Sequence, residues 1–318
     1  MSGGSSILVT GAEAFSARLG AARAEGSQVG LVPTMGALHD GHRSLIDRAG
    51  VDCDLVAVTI FVNPLQFGEQ ADLDGYPRTL EADLAACEAA GVDVVFAPSV
   101  EEMYPSWPAP VATSVRVAGV AEPWEGASRP GHFDGVATVV TKLFALAGPC
   151  RAYFGEKDFQ QLAVVRRLVG DLSLPVTVVG CPTVRQPDGV ALSSRNARLS
   201  PTERRAATVL HRALEAGAAA VAAGERRPAA VADRMAAEVA TEPLARLDYA
   251  AAVDPDDLSV PAALDAGRPV RLLVAARVGD VRLIDNRAAV PAPAPAPAPA
   301  PTRRPAVALS GALGGPEV

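Results

Sequence analysis

The chain has 318 residues, of which 49% are hydrophobic and 20% charged, and its formal net charge is −7. This length is enough for two domains with separate cores, and the composition is typical of globular proteins in water. The acidic balance disfavours a nucleic-acid-binding role, which needs a basic surface. Because no apolar run reaches about 18 uninterrupted residues, no membrane span is predicted.

The four cysteines are widely separated and form no Cys-x-x-Cys pair. Isolated cysteines of this kind favour reduced thiols over a disulfide framework or a metal site. The first six residues show no basic region followed by an apolar core, so a secretory signal is not expected. We therefore expect a cytoplasmic protein.

The first half of the chain alternates between strand-like and helix-like segments. Apolar, β-rich runs lie at 30–33, 55–62, 92–96, 152–154 and 176–179, and segments with helical spacing lie at 42–49, 79–90, 136–147 and 158–171. This alternation predicts an α/β fold with a Rossmann-like parallel sheet and right-handed crossovers, over residues 1–184. In such sheets, ligands bind beyond the carboxyl ends of the strands.

The pattern changes after residue 184. Ala-rich segments at 201–223 and 229–240 predict helices, and short apolar runs at 248–253, 271–276 and 281–284 predict strands. We expect a smaller α+β domain over 185–288, acting as a lid. Residues 289–318 are rich in Pro and Ala, and the Pro-Ala repeat from 291 to 301 predicts a disordered, polyproline-like tail.

Two histidines flank a glycine where the first strand leads into a helix, in Val32-Pro-Thr-Met-Gly-Ala-Leu-His39-Asp-Gly41-His42. A helix N-terminus attracts anions, so both imidazoles could face a phosphate there. Glycine at position 41 allows close backbone approach. Incidental histidines in a loop are the alternative interpretation of the short motif, and the longer string disfavours it.

Three further segments carry polar side chains at expected strand ends or turns. In Phe61-Val-Asn-Pro-Leu-Gln-Phe67, Pro64 ends the strand and leaves Asn63 and Gln66 at the sheet edge. In Gly155-Glu-Lys-Asp-Phe-Gln-Gln161, a lysine follows a strand and could neutralise phosphate charge. In 184–196, the turn Pro187-Asp-Gly189 precedes Ser-Ser-Arg, which could clamp a triphosphate. Each fragment alone also fits an ordinary polar turn.

Together these strings resemble the pantothenate synthetase family of the nucleotidyltransferase superfamily, whose signature is His-x-Gly-His. Tyr76-Pro-Arg-Thr79 and Arg129-Pro-Gly-His-Phe133 resemble the same family, and all the strings occur in the family's order between about residues 30 and 290. The resemblance implies an ATP-dependent ligase. Pantoate would attack the α-phosphorus of ATP, and β-alanine would then attack the pantoyl adenylate, releasing AMP.

The resemblance also implies roles for individual residues, with magnesium as cofactor and a homodimer as the assembly. Catalytic contacts to the phosphates are expected from His39, His42, Lys157, Ser193, Ser194 and Arg195. Contacts to pantoate or β-alanine are expected from Pro33, Thr34, Met35, Asn63, Gln66, Tyr76, Arg129 and Gln161. Further ATP contacts are expected from Gly41, Gly155, Asp158 and Val184. Asp83 is the candidate magnesium ligand, although a single helical carboxylate is more often a solvated charge. A structural role fits Tyr76 and Arg129 equally well, and His132 is expected to be structural.

Two alternatives share the same motifs. A cytidylyl- or adenylyltransferase would use the same histidines but keep the nucleotide in its product. A catalytically inactive nucleotide-binding protein would bind ATP without turnover. A tRNA synthetase fragment is disfavoured by the acidic charge. No Ser-His-Asp or Cys-His arrangement predicts a covalent enzyme intermediate.

Overall fold

The computed structural model describes residues 6–68 and 73–292. The predicted Pro-Ala repeat lies outside these residues, apart from its first two positions. The strands of the larger domain are β1 (Ile7–Val9), β2 (Val29–Thr34), β3 (Leu55–Ile60), β4 (Val94–Phe96), β5 (Cys150–Gly155) and β6 (Val176–Cys181). Its helices are α1 (Ala12–Ala24), α2 (Asp40–Asp52), α3 (Leu80–Ala89), α4 (Val100–Met103), α5 (Glu125–Ser128), α6 (His132–Ala147) and α7 (Phe159–Asp171).

The six strands form one parallel sheet in the order β1-β4-β3-β2-β5-β6. The predicted parallel α/β fold is thereby confirmed. The strand order reverses between β2 and β5, which pair through Gly30 with Arg151 and Leu31 with Ala152. A reversal of this kind opens a crevice at the carboxyl ends of the two strands, which is where open α/β sheets bind ligands.

Helices cover both faces of the sheet. Successive residues of a strand point to opposite faces, so alternate residues of one strand contact different helices. Leu55 and Ala57 of β3 pack in one apolar cluster with Phe15 of α1 and with α6 and α7. Val56 and Val58, which alternate with them, pack in a second cluster with α2 and α3. This burial on both faces explains the unbroken apolar run of β3.

The smaller domain contains an antiparallel sheet with the order β7-β8-β9. Its strands are β7 (Ala245–Val253), β8 (Val270–Val278) and β9 (Val281–Ala289), and its helices are α8 (Pro201–Ala206), α9 (Thr208–Ala222) and α10 (Pro228–Val239). The single helix predicted over 201–223 is interrupted at Ala207, so that α8 and α9 are separate. The sequence has no Gly or Pro at this break, so helical spacing alone did not reveal it.

Two elements at the start of the chain, β1 and α1, were not predicted from the sequence. β1 is a three-residue edge strand, which is too short to produce a clear alternating pattern. The helix α1 buries only Phe15 and Leu19, so its apolar stripe is narrow. No helix in the described part of the chain combines the length and apolarity that a membrane crossing requires.

Candidate active site

A cleft of about 570 Å³ lies between the reversal point of the parallel sheet and the smaller domain. Of the predicted site residues, eight line this cleft: Met35, Gln66, Arg129, Lys157, Asp158, Gln161, Ser193 and Arg195. The smaller domain closes one side with β9 residues that include Arg282 and Asn286. The other predicted residues are not among those that line the cleft: Pro33, Thr34, His39, Gly41, His42, Asn63, Tyr76, Asp83, Gly155, Val184 and Ser194.

His39 and His42 form the N-terminal cap of α2. The Nδ1 atom of His39 accepts from the backbone N–H of Gly41 at 3.1 Å, and the Nδ1 atom of His42 accepts from the N–H of His39 at 3.3 Å. The rings lie 4.1 Å apart, centroid to centroid. A side chain at Gly41 would come within 2.8 Å of the His39 ring, so glycine is required by this cap.

The pKa values of both histidines are lowered. Burial is the main cause, and it lowers the pKa of His42 to about 4 with a further contribution from His39. The nearby charge of Lys157 lowers the pKa of both rings as well. Both rings are therefore neutral at pH 7. Since each Nδ1 is an acceptor from the backbone, the proton of each neutral ring lies on Nε2, where it is a donor.

Lys157 and Asp158 lie in a 3-10 turn, Glu156–Asp158, that connects β5 to α7. The Nζ atom of Lys157 lies 3.2 Å from Oδ1 of Asp158, and 48% of the Asp158 side chain is exposed. Burial by itself would raise the pKa of Asp158. The ion pair and the hydrogen bond with Lys157 lower this pKa by a larger amount, so it lies below its ordinary value. The ion pair keeps the lysine at the reversal point, beside the histidines.

Asn63 and Gln66 bracket a 3-10 turn that follows β3, as the strand-ending Pro64 predicts. Asn63 is 1% exposed, and its amide donates to Gln66 Oε1 at 3.0 Å and to the carbonyl of Gly135 at 3.1 Å. Its Oδ1 accepts from the hydroxyl of Tyr104 at 2.8 Å. Asn63 thus orients Gln66, whose own amide nitrogen faces the sulfur of Met35, at 3.1 Å. A thioether is a weak acceptor, so this donor is available to a ligand.

Thr34 and Asp83 stabilise the loop between β2 and α2. The Thr34 hydroxyl donates to the carbonyl of Thr59 at 2.6 Å. Asp83 is 3% exposed, and its two oxygens accept from the N–H groups of Ala37 and Leu38 at 3.0 and 2.8 Å. Thr79 also donates to Asp83, at 3.1 Å. These contacts show that Asp83 stabilises the loop between β2 and α2, and the magnesium contact of this residue stays a prediction.

No group of three or more His, Cys, Asp or Glu side chains within residues 6–68 and 73–292 is arranged to hold a metal ion. Dedicated protein cages are not required for magnesium that arrives with a nucleotide, because the phosphates and water supply most ligands. The chain's own residues therefore do not identify a magnesium site.

The segment Ser193–Arg195 follows a short hairpin in which Arg185 pairs with Ala191. Val184, the predicted adenine contact, accepts through its carbonyl from the N–H of Leu192 at 3.0 Å. Ser193 caps the 3-10 helix Ser194–Arg198. Burial raises the pKa of the Tyr76 phenol, and a hydrogen bond with Ser194 lowers this pKa by a smaller amount. Ser193 and Arg195 of this segment line the cleft.

Several cleft residues were missed by sequence reasoning. Glu125 is 7% exposed, and both of its oxygens accept from Arg282 at 2.7 Å. Gln160 donates to the carbonyls of Val120 and Pro123 at 2.9 and 2.8 Å. A buried glutamate or glutamine has no local sequence signal, because its partners lie far away along the chain.

His132, predicted to be structural, contacts two residues that line the cleft, Gln66 and Arg129. Its Nδ1 lies 2.8 Å from the carbonyl of Gln66, and its Nε2 lies 3.0 Å from Arg129. Burial, followed by the charge of Arg129, lowers the pKa of His132 to about 4. The neutral ring links the backbone of Gln66 to the predicted substrate residue Arg129.

The fold and this geometry define a class of protein: an α/β protein with a polar ligand cleft at the reversal point of a parallel sheet. A family model described as "Pantoate-beta-alanine ligase" matches residues 8–288. The chain is 56% identical to the pantothenate synthetase of Rubrobacter xylanophilus over 274 residues, covering 85% of this chain and 93% of that protein. It is 54% identical to the pantothenate synthetase of Deinococcus radiodurans over 282 residues, covering 86% and 99%.

Solved structures agree. The pantothenate synthetase of Thermus thermophilus superimposes with a TM-score of 0.81 at 49% identity, covering 88% of this chain and 98% of that one. The pantoate-beta-alanine ligase of Francisella tularensis, solved with beta-gamma ATP and beta-alanine, gives a TM-score of 0.72 at 33% identity, covering 89% and 97%. The chain belongs to the pantoate–β-alanine ligase family, which confirms the resemblance found in the sequence.

Proposed function

We propose that this chain condenses pantoate with β-alanine at the expense of ATP, through a pantoyl adenylate. The observation that carries the mechanism is the reversal point of the sheet, where the α2 cap with His39 and His42 lies beside Lys157. Three donors of this kind suit a group whose negative charge grows during reaction. The cleft beside them, lined by Gln66 and Gln161, suits a polar acid.

In the first step, a pantoate carboxylate oxygen forms a bond to the α-phosphorus, and the bond from that phosphorus to the bridging oxygen breaks. Pyrophosphate leaves with the bonding electrons. We assign the Nε2–H groups of His39 and His42, together with Lys157, to the phosphate oxygens. Ser193, Ser194 and Arg195 would reach the same phosphates from the other side, where arginine can make two parallel contacts. Magnesium would enter bound to ATP.

In the second step, the β-alanine nitrogen attacks the acyl carbon of the adenylate and AMP leaves, while the nitrogen of the new amide bond loses its proton. The amide nitrogen of Gln66 and the side chain of Gln161 are assigned to pantoate oxygens. Asn63 would act through Gln66, because its own polar atoms are already bonded. Positioning of this kind accounts for catalysis without a covalent enzyme intermediate.

The test is AMP release from ATP and magnesium, with pantoate and β-alanine supplied together and each omitted in turn. We expect AMP only when both are present. Pyrophosphate release with pantoate alone, without AMP release on adding β-alanine, would support the adenylation of pantoate. The same result would reject β-alanine as the acceptor of the pantoyl group. No turnover under any condition would reject the proposed reaction.

We also propose that the protein is cytoplasmic and homodimeric. The four cysteines are free, as expected in a reducing compartment. Light scattering on the purified chain tests the dimer: a mass of one chain across the micromolar range would reject it.

A further inference from the structure

The Glu156–Asp158 turn is held from the smaller domain by Asn286 of β9. This asparagine is 4% exposed. Its amide nitrogen donates to the carbonyl of Glu156 at 2.9 Å and to the carbonyl of Lys157 at 2.7 Å. These two hydrogen bonds to consecutive carbonyls restrain the backbone at Lys157, whose ammonium group lies in the cleft.

The orientation of the Asn286 amide is set by these two bonds alone, because its Oδ1 is buried and has no hydrogen-bond partner within the described residues. The amide must present its nitrogen to the turn, since the reversed amide would face two carbonyls with an acceptor. A buried polar atom without a partner destabilises the fold. The side chain of Asn286 therefore donates two hydrogen bonds to the Glu156–Asp158 turn while its own oxygen stays without a partner.

The adjacent residue, Asp285, contacts the hairpin that leads into Ser193–Arg195, the second segment with proposed phosphate contacts. Its carboxylate, in a residue 5% exposed, accepts from two nitrogens of Arg185 at 2.6 and 2.9 Å. Arg185 also donates to the carbonyls of Gly189 and Asn286, at 2.9 and 3.2 Å. Arg185 thus fixes the hairpin that leads into Ser193–Arg195.

We infer that Asp285 and Asn286 are positioning residues that align the Lys157 turn with the Ser193–Arg195 segment across the cleft. Neither needs to contact substrate. Asn286 acts through the backbone of Lys157, and Asp285 acts through Arg185. This inference rests on the proposed phosphate role of Lys157.

The test is a double-mutant cycle between Asn286→Ala and Lys157→Ala, with Arg287→Ala as the matched control. Arg287 is the next residue on β9, but its side chain is exposed and pairs with Glu215, away from the cleft. In the unmodified background, Asn286→Ala should lower kcat by about 10- to 10²-fold, the effect of a displacement near 1 Å, with little change in the KM for pantoate. In the Lys157→Ala background, it should lower kcat by less than about 2-fold, within the usual error of additivity.

An equal loss in both backgrounds would overturn the inference, because a general structural defect acts independently of Lys157. If Asn286→Ala unfolds at the assay temperature, Asn286→Leu replaces it, since leucine has the same branching at Cγ and lacks the donor. If neither the unmodified chain nor Arg287→Ala releases AMP, the proposed function fails on its own. The same cycle is then measured by calorimetry of ATP binding, where an equal effect in both backgrounds again overturns the inference.

Discussion

Neutral imidazoles at the start of α2 are the residue-scale feature on which the mechanism depends. A protonated imidazole carries a proton on Nδ1, so this atom can no longer accept the backbone N–H that it caps. A histidine in this cap therefore has to be neutral. In the described structure, both Nδ1 atoms face backbone N–H groups. The pair therefore offers two directed donors with no charge, and the positive charge of the site comes from Lys157 and Arg195.

The pKa shifts predict how stability depends on pH. An unfolded histidine titrates near 6.5, whereas the pKa of His42 and of His132 in the folded chain is about 4. Between these values, the unfolded state binds more protons, so the free energy of unfolding falls as pH drops from about 6.5 to about 4. Above about pH 6.5, these groups add no pH dependence.

Urea unfolding at pH 7.0, 5.5 and 4.5 measures this loss for the unmodified chain, His42→Asn and His132→Asn. Each variant should lose less stability between the first and last pH than the unmodified chain. Carboxylates that titrate in the same range are present in all three proteins and cancel in the comparison. Identical slopes would contradict the neutral assignment.

Lys157→Ala should lower kcat by about 10²–10³-fold, because one preorganised donor to a developing charge is removed. The fold should be retained, since the Nζ atom pairs with the half-exposed carboxylate of Asp158, which water can solvate in its place. Steady-state AMP release at saturating ATP measures the effect. Arg167→Ala, on an exposed pair with Asp171 on α7, is the control and should keep normal turnover. Near-normal turnover of Lys157→Ala would reject its role.

At the scale of elements, the position of Gln66 at the cleft depends on how closely α6 crosses the turn after β3. A Cβ atom at Gly135 of α6 would lie 2.3 Å from the carbonyl oxygen of Leu65. The carbonyl of Gly135 in turn accepts from Asn63 at 3.1 Å. Glycine is therefore required at this crossing, and the crossing places Gln66 at the cleft.

Gly135→Ala should destabilise the chain by about 1–3 kcal/mol, because the added methyl forces the helix and the turn apart. It should also raise the KM for pantoate, since Gln66 moves with the turn. Thermal unfolding and substrate titration measure the two effects. Gly50→Ala is the matched control: nothing lies within 4 Å of its added Cβ on α2, and it should stabilise by about 0.5–1 kcal/mol. Unchanged stability of Gly135→Ala would contradict the close crossing.

At the scale of the whole molecule, the two domains are joined by apolar and ionic contacts. Leu273 of β8 packs in the core cluster of the larger domain. Arg282 pairs with Glu125, which also accepts from the Tyr249 hydroxyl at 2.9 Å. Burial lowers the pKa of Arg282, but the pairs with Glu125 and Asp248 raise it more. These contacts oppose a wide opening of the smaller domain, so we predict that any closure over ATP is small.

Arg282→Ala should destabilise the chain by about 3–5 kcal/mol, because it leaves the carboxylate of Glu125 buried without its charged partner. Chemical denaturation measures the change. Arg43→Ala, on an exposed i, i+4 pair with Asp47, is the control and should cost at most about 0.5 kcal/mol. A small effect of Arg282→Ala would show that the interface tolerates the unpaired carboxylate.

The elements that carry the polar motifs could be predicted because their patterns are local. The buried run of β3 and the helical spacing of α7 each identify their element within a few residues. The strand-ending Pro64 correctly located the turn with Gln66. The short strand β1 could not be predicted, because it exists through its pairing with the distant strand β4. No local sequence feature marks the break at Ala207.

The sequence alone determined the alternating α/β plan, the family, and the segments that carry the proposed phosphate and substrate contacts, because motif and periodicity are properties of consecutive residues. Only the tertiary structure decided which of these side chains reach the cleft. Asn63 and Asp83 have the residue types of ligand contacts, yet their polar atoms are already bonded within the protein. The contacts of Glu125 and Asn286 join residues more than a hundred positions apart, and no local pattern records such a pairing.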